Sequence, residues 1–155
     1  MALPPETMND EVRVPIQSDS DLVDARAAAR ELATRLGFSR TDATLIATAV
    51  SEVARNIVVH VGQGAIVMQP LYEETRYGVE VVAEDSGSGI RNVYAALEDG
   101  YAGRGGLGLG LPGARRLMDD FDVDTGVDRG TRVTMKKWRF RDELERLRER
   151  RRSRA

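Results

Sequence analysis

Seven of the fifteen glycines in this 155-residue chain fall between Gly100 and Gly113. So little side chain cannot make the interior of a helix or strand, because each glycine there costs backbone entropy and packs nothing. What such a segment does offer is free backbone N–H groups, which suit phosphate oxygens. Its first part, residues 98 to 106, is polar and carries no hydrophobic period, whereas its second part leads into a helix through Met118, and helix N-termini favour anions. Pro112 falls in the first turn of that helix, where its missing N–H is no loss. Gly108-Leu109-Gly110-Leu111-Pro112-Gly113 spells G-x-G-x-x-G, but no strand leads into it, so a dinucleotide fold is rejected.

The rest of the chain has regular periods. Residues 1 to 10 form a loose leader broken by Pro4 and Pro5, and residues 12 to 16 alternate like an edge strand that tolerates Pro15. Asp19 or Ser20 caps a helix over 21 to 36, with Leu22, Ala25, Ala29, Leu32 and Leu36 on one stripe and Gly37 as its stop. Thr41 or Ser39 caps a second helix through Val59. Strands over 65 to 71 and 78 to 84 flank a polar turn around Glu73 to Arg76, a short helix covers Asn92 to Leu97, and strands over 122 to 125 and 131 to 138 end the body. Trp138 and Phe140 read as packing at a strand end.

Absence of cysteine removes disulfides and thiolate chemistry, and a single histidine, His60, leaves too few ligands for zinc. His60 reads as a helix-terminating residue. With no signal sequence and no membrane-length apolar run, a cytoplasmic location is expected. The net charge of −2 divides unevenly: residues 139 to 155 hold eight arginines against four acids, +4, which leaves −6 on residues 1 to 138. Alternating Glu and Arg at helical spacing reads as a solvated helix rather than a nucleic-acid arm. The expected division is therefore a leader at 1–10, one globular domain at 11–138 and an arginine-rich tail at 139–155.

Three groups of residues carry chemistry. Glu52 and Asn56, four apart on the second helix, lie on one face within a turn, pairing a proton acceptor with a ligand for a hard cation. Asp85, at a strand's end, accepts from an exocyclic amine, and Gly87 and Gly89 allow close approach to a flat base. Arg104, within the glycine-rich segment, is placed to close over a terminal phosphate. Each has a plain alternative when read singly: an exposed Glu and Asn, a tight Asp-Gly turn, a solvent-facing loop arginine. With lysine present just at 136 and 137, neither a Gly-Lys-Ser/Thr phosphate loop nor the strand lysine of ordinary protein kinases is available.

The order of the groups separates the readings. Glu52-x-x-x-Asn56, Asp85-x-Gly87-x-Gly89, Gly106-Leu107-Gly108-Leu109-Gly110 and Gly130-Thr131 resemble the successive boxes of the ATPase fold shared by gyrase, Hsp90, histidine kinases and MutL. Ser51-Glu52-Val53-Ala54-Arg55-Asn56-Ile57, Glu98-Asp99-Gly100-Tyr101 and Gly105-Gly106-Leu107-Gly108 through Asp119 narrow the likeness to the RsbT-like serine/threonine switch-protein kinases of bacterial stress signalling. The resemblance implies a two-layer α/β sandwich of the Bergerat type, with a mixed, mainly antiparallel sheet and helices on one face. It also implies Mg2+ held by Asn56, a general base at Glu52, adenine read by Asp85, a base pocket completed by Gly87, Gly89 and Thr131, and a lid from Gly105, Gly106, Leu107, Gly108 and Gly110 with Arg104. Implied partners are a STAS-domain antagonist carrying the substrate serine and a PP2C-type phosphatase. Two alternatives accompany it: an anti-sigma factor kinase of the SpoIIAB or RsbW type that sequesters a sigma factor, and a non-catalytic ATP-binding docking regulator.

Overall fold

The computed structural model describes residues 11–87, 110–126 and 129–142, with Leu147, Arg150 and Arg151 beyond them. Eight elements follow in order: β1 (Val12–Ile16), α1 (Asp19–Arg35), α2 (Arg40–His60), β2 (Gly64–Tyr72), β3 (Arg76–Asp85), α3 (Gly110–Leu117), β4 (Asp120–Gly126) and β5 (Gly130–Phe140). The leader, the expected helix at 92–97 and Gly89 with the 104–108 lid residues lie outside the described residues.

The strands form one sheet in the order β1-β2-β3-β5-β4. All four pairings are antiparallel, so among the described residues the sheet is purely antiparallel rather than mixed. Alternation places Ile66, Met68, Val79, Val81, Ala83, Val133 and Met135 on one face, where they are buried beneath the helices. Glu80, Glu84, Arg132 and Lys136 alternate with them onto the opposite face, which no described helix covers. The apolar stripe of α2, from Ala43 and Ile46 to Ile57, fills the core between sheet and α1. β1 is an edge strand, as its proline requires, and the acidic β4 forms the other edge.

The ends of the helices are set by local chemistry. Ser18, not Asp19 or Ser20, is the N-cap of α1, because the Asp21 carboxylate folds back to accept the backbone N–H groups of Gln17 (2.8 Å) and Ser18 (3.1 Å). Gly37, at φ +89°, ends the helix as its position suggests. Ser39 caps α2 by accepting the Asp42 N–H at 3.0 Å. Ser39→Ala is expected to cost about 1 kcal/mol, read as a lower urea midpoint at unchanged slope; an unchanged midpoint would mean that tertiary packing alone fixes this end.

At the far end of the sheet the Arg76 guanidinium stacks 3.7 Å above the Trp138 ring, while the Trp138 indole donates to Asp120 at 2.8 Å. Trp138 is thus packed, but Phe140 is 70% exposed. It lies opposite Arg76 at the last register position of β5, past the helical layer, so the sequence expectation of packing fails there.

Candidate nucleotide and phosphoryl-transfer site

Among the described residues just two polar or charged side chains are buried, Glu52 and Thr131, each 8% exposed. Charged residues are seldom buried without partners, and both of these stand at positions where the sequence places site chemistry.

Glu52 lies on the face of α2 turned toward α3. Its Oε2 accepts the backbone N–H of Gly110 at 2.9 Å, across 58 positions of sequence. Gly110 opens α3 with φ +66°, a conformation that glycine reaches without a Cβ penalty, and this aims the N–H at the carboxylate. Leu111, Pro112, Gly113 and Ala114 are buried behind it, fixing the start of α3 against α2. Pro112 sits in the first turn, as expected. The bond holds one oxygen of Glu52 and leaves the other to accept a proton. Gly110 is therefore more than a lid glycine, and no local signal in the sequence could have shown its contact with Glu52.

Asn56 lies one turn beyond Glu52, half-buried, and its side-chain amide makes no hydrogen bond with another described residue. Its oxygen is free for a hard cation. No cluster of three or more metal-ligating side chains occurs among the described residues.

The other half of the site lies at the ends of three central strands. Asp85 is the last residue of β3, opposite Gly64 of β2 and Thr131 of β5. Its Oδ1 accepts the Gly87 N–H at 2.9 Å, closing a tight turn and fixing the carboxylate while Oδ2 remains available for an amine donor. Thr131 exchanges a hydroxyl hydrogen bond with Thr125 at 2.9 Å. Glycines let the chain pack closely at this end. A Cβ on Gly64 would lie 2.9 Å from Ile57 Cγ2, one on Gly87 2.9 Å from the Val61 methyls, and one on Gly130 2.9 Å from Ser86 Cα. Sequence reasoning found Gly87 and missed Gly64, whose sole signal was its place at the start of a strand.

A model of the histidine kinase-like ATPase domain matches residues 16–137, a span that holds Glu52, Asn56, Asp85 and Thr131 together. The chain belongs to the histidine kinase-like ATPase family. Within this ATPase family it is 41% identical over 131 residues to the serine/threonine-protein kinase RsbT of Bacillus subtilis (strain 168), covering 84% of this chain and 98% of that protein. The expected resemblance to the RsbT-like kinases is thereby borne out. It is also 30% identical over 119 residues to the anti-sigma F factor of Clostridium novyi (strain NT), covering 73% of this chain and 82% of that one. Two solved structures share the ATPase fold. The RsbU and RsbW domains of a Mycobacterium tuberculosis protein align at TM-score 0.57 and 18% identity, covering 85% of this chain and 33% of that longer one. The SiaB–SiaC complex of Pseudomonas aeruginosa aligns at TM-score 0.50 and 16% identity, covering 85% of this chain and 91% of the other. No helix among the described residues is long and apolar enough to cross a membrane.

Proposed function

We propose that this chain is a cytoplasmic, Mg-ATP-dependent protein serine/threonine kinase of a partner-switching system. It phosphorylates a serine on a STAS-domain antagonist and binds a PP2C-type phosphatase. The kinase domain occupies residues 11–138, flanked by a leader and by an arginine-rich tail. The observation that carries this reading is the burial of Glu52 against the first N–H of α3, which holds a proton acceptor in a water-poor position with one oxygen already oriented.

Bound ATP would supply the γ-phosphoryl group, and a bound Mg2+ would supply positive charge to the phosphates. The residues of the chain do the rest. Asp85 reads the adenine amine with the oxygen not engaged by Gly87, and Thr131 with Gly89 completes the base pocket. Asn56 would hold the cation. The family resemblance assigns the glycine-rich segment from Gly105 to Gly110, with Arg104, to the phosphates. Glu52, oriented by Gly110, accepts the proton of the attacking serine hydroxyl, so that catalysis rests on positioning and electrostatics with no covalent intermediate on the protein.

Identity of 41% across nearly the whole of RsbT supports this reading over the anti-sigma alternative, supported by 30% identity over a shorter span. Calorimetric ATP titration of the full chain with Mg2+ and with EDTA tests the ion-holding role. Asn56→Ala is expected to lose the Mg2+-dependent gain in affinity, about tenfold for one lost charge-assisted contact. Retention of the full gain would remove Asn56 from the ion.

A further inference from the structure

Among the described residues two side-chain nitrogens are buried without a hydrogen-bond partner, Nε of Arg55 and Nε of Arg141. The Arg141 guanidinium is compensated, because it lies 5.7 Å from the centre of the Tyr77 ring and is partnered elsewhere. Arg55 is not. It makes no hydrogen bond, ion pair or ring contact with any described residue. A guanidinium never loses its charge in a protein, so a half-buried one with an unbonded Nε is costly unless an anion meets it.

The helix offers no such anion. Three of the neighbours of Arg55 at helical spacing are Ser51, Val58 and Val59, and the fourth, Glu52, turns Oε2 to the Gly110 N–H instead. The place of Arg55 on α2 indicates where the anion comes from. At 3.6 residues per turn, Arg55 falls about 60° to one side of Glu52 and Asn56 about 40° to the other, so the three run Arg55, Glu52, Asn56 around the helix. In phosphoryl transfer the attacking and leaving oxygens lie in line, which puts nucleotide and acceptor on opposite sides of the moving group. With cation and phosphates on the Asn56 side and the base at Glu52, the acceptor chain falls on the Arg55 side.

We propose that Arg55 is a specificity-determining residue that binds a carboxylate of the substrate protein beside the acceptor serine. This rests on the kinase reading, which gives Glu52 and Asn56 their roles. A carboxylate accepts from two guanidinium N–H groups at once, and the planar fork fixes the approach of the segment as well as its charge. An acidic neighbour thereby brings its serine hydroxyl to the free oxygen of Glu52. A neutral neighbour leaves Arg55 unpaired and a basic one is repelled, so selection works by both attraction and exclusion. The γ-phosphoryl group shares this oxyanion chemistry, but it starts on the Asn56 side and is met there by the cation.

The test uses the full-length chain, labelled with 15N and saturated with Mg2+ and a non-hydrolysable ATP analogue. Two decapeptides with a single central serine are titrated in, one with aspartate on both sides of the serine and one with asparagine, with inorganic phosphate in parallel. Expected are a shift of the Arg55 Nε–H by the aspartate peptide and binding about tenfold tighter than that of the asparagine peptide. The preference should vanish in Arg55→Ala and Arg55→Gln and return in part in Arg55→Lys, with wild-type melting temperature and ATP affinity showing that each variant is folded. Equal affinities of the two peptides for the wild type, a preference that persists in Arg55→Ala, or a larger Arg55 shift with phosphate than with the aspartate peptide would each overturn the proposal, the last by giving Arg55 to the phosphoryl group. Binding is read without turnover, so a chain that prefers the aspartate peptide but transfers no phosphate supports docking at Arg55 and contradicts the kinase reading alone.

Discussion

Replacing Glu52 by glutamine is expected to lower phosphoryl transfer by about 10²- to 10⁴-fold, the usual contribution of a positioned general base, and to leave ATP affinity unchanged. The geometry separates the two effects. Glutamine retains a carbonyl oxygen that can accept the Gly110 N–H now 2.9 Å from Oε2, so the junction of α2 and α3 survives, but the amide cannot take a proton from serine. Alanine is a different experiment. It strands the Gly110 N–H without an acceptor and opens a void at the helix junction, at a cost of about 1–3 kcal/mol for the unpaired group. Glu52→Gln should therefore melt near the wild-type temperature and Glu52→Ala below it, with both inactive. Single-turnover transfer and a melting curve for each variant decide this; a Glu52→Gln protein that transfers phosphate at the wild-type rate would make the glutamate purely structural.

The second large effect is expected at Gly130. This residue opens β5 at φ +81°, and a Cβ there would overlap the Asp85 carbonyl oxygen and lie 2.9 Å from Ser86 Cα. Both obstacles are backbone, so no side chain can swing aside. Gly130→Ala should therefore add left-handed strain, about 1–3 kcal/mol, and push the end of β3 out of place, taking with it the Asp85 carboxylate proposed to read adenine. A fall in melting temperature of about 3–10 °C with a parallel loss of ATP affinity is the expected result. Gly62 supplies the control. At φ +100° it faces open space, so Gly62→Ala carries the strain without the collision and should leave ATP affinity intact. Equal losses in the two variants would separate Gly130 from the nucleotide site.

These two predictions draw on information that the sequence holds unequally. Strands and helices are legible because apolar residues recur at two and at 3.6 positions, and the stripe from Ala43 to Ile57 and the alternation from Val79 to Ala83 are both clean. The start of α1 is not, because Ser18-Asp19-Ser20-Asp21 offers four consecutive capping candidates and the choice depends on where Asp21 finds backbone donors. β4 and β5 extend past the expected limits, to Asp120–Gly126 and Gly130–Phe140, since cross-strand pairing holds residues whose own propensity is weak. The β2–β3 and β4–β5 hairpins join neighbouring segments, but the β3–β5 pairing that sets β5 between β3 and β4 joins residues far apart in sequence and has no local signature.

The site divides in the same way. Glu52, Asn56 and Asp85 are readable as residue types at fixed spacing on identifiable elements. The Glu52–Gly110 bond, the Gly64 and Gly130 clearances around Asp85, and the Thr125–Thr131 hydroxyl pair belong to tertiary structure, and only the folded chain brings them together.

The central claim is phosphoryl transfer to serine with Glu52 as the base, and transfer from γ-labelled ATP to a STAS-domain protein, mapped by mass spectrometry, tests it most directly. Phosphoserine formed by the wild-type chain and lost in both Glu52→Gln and Asn56→Ala is the predicted result. ATP binding with no transfer to any STAS-domain protein offered, or transfer that persists in Glu52→Gln, would contradict it.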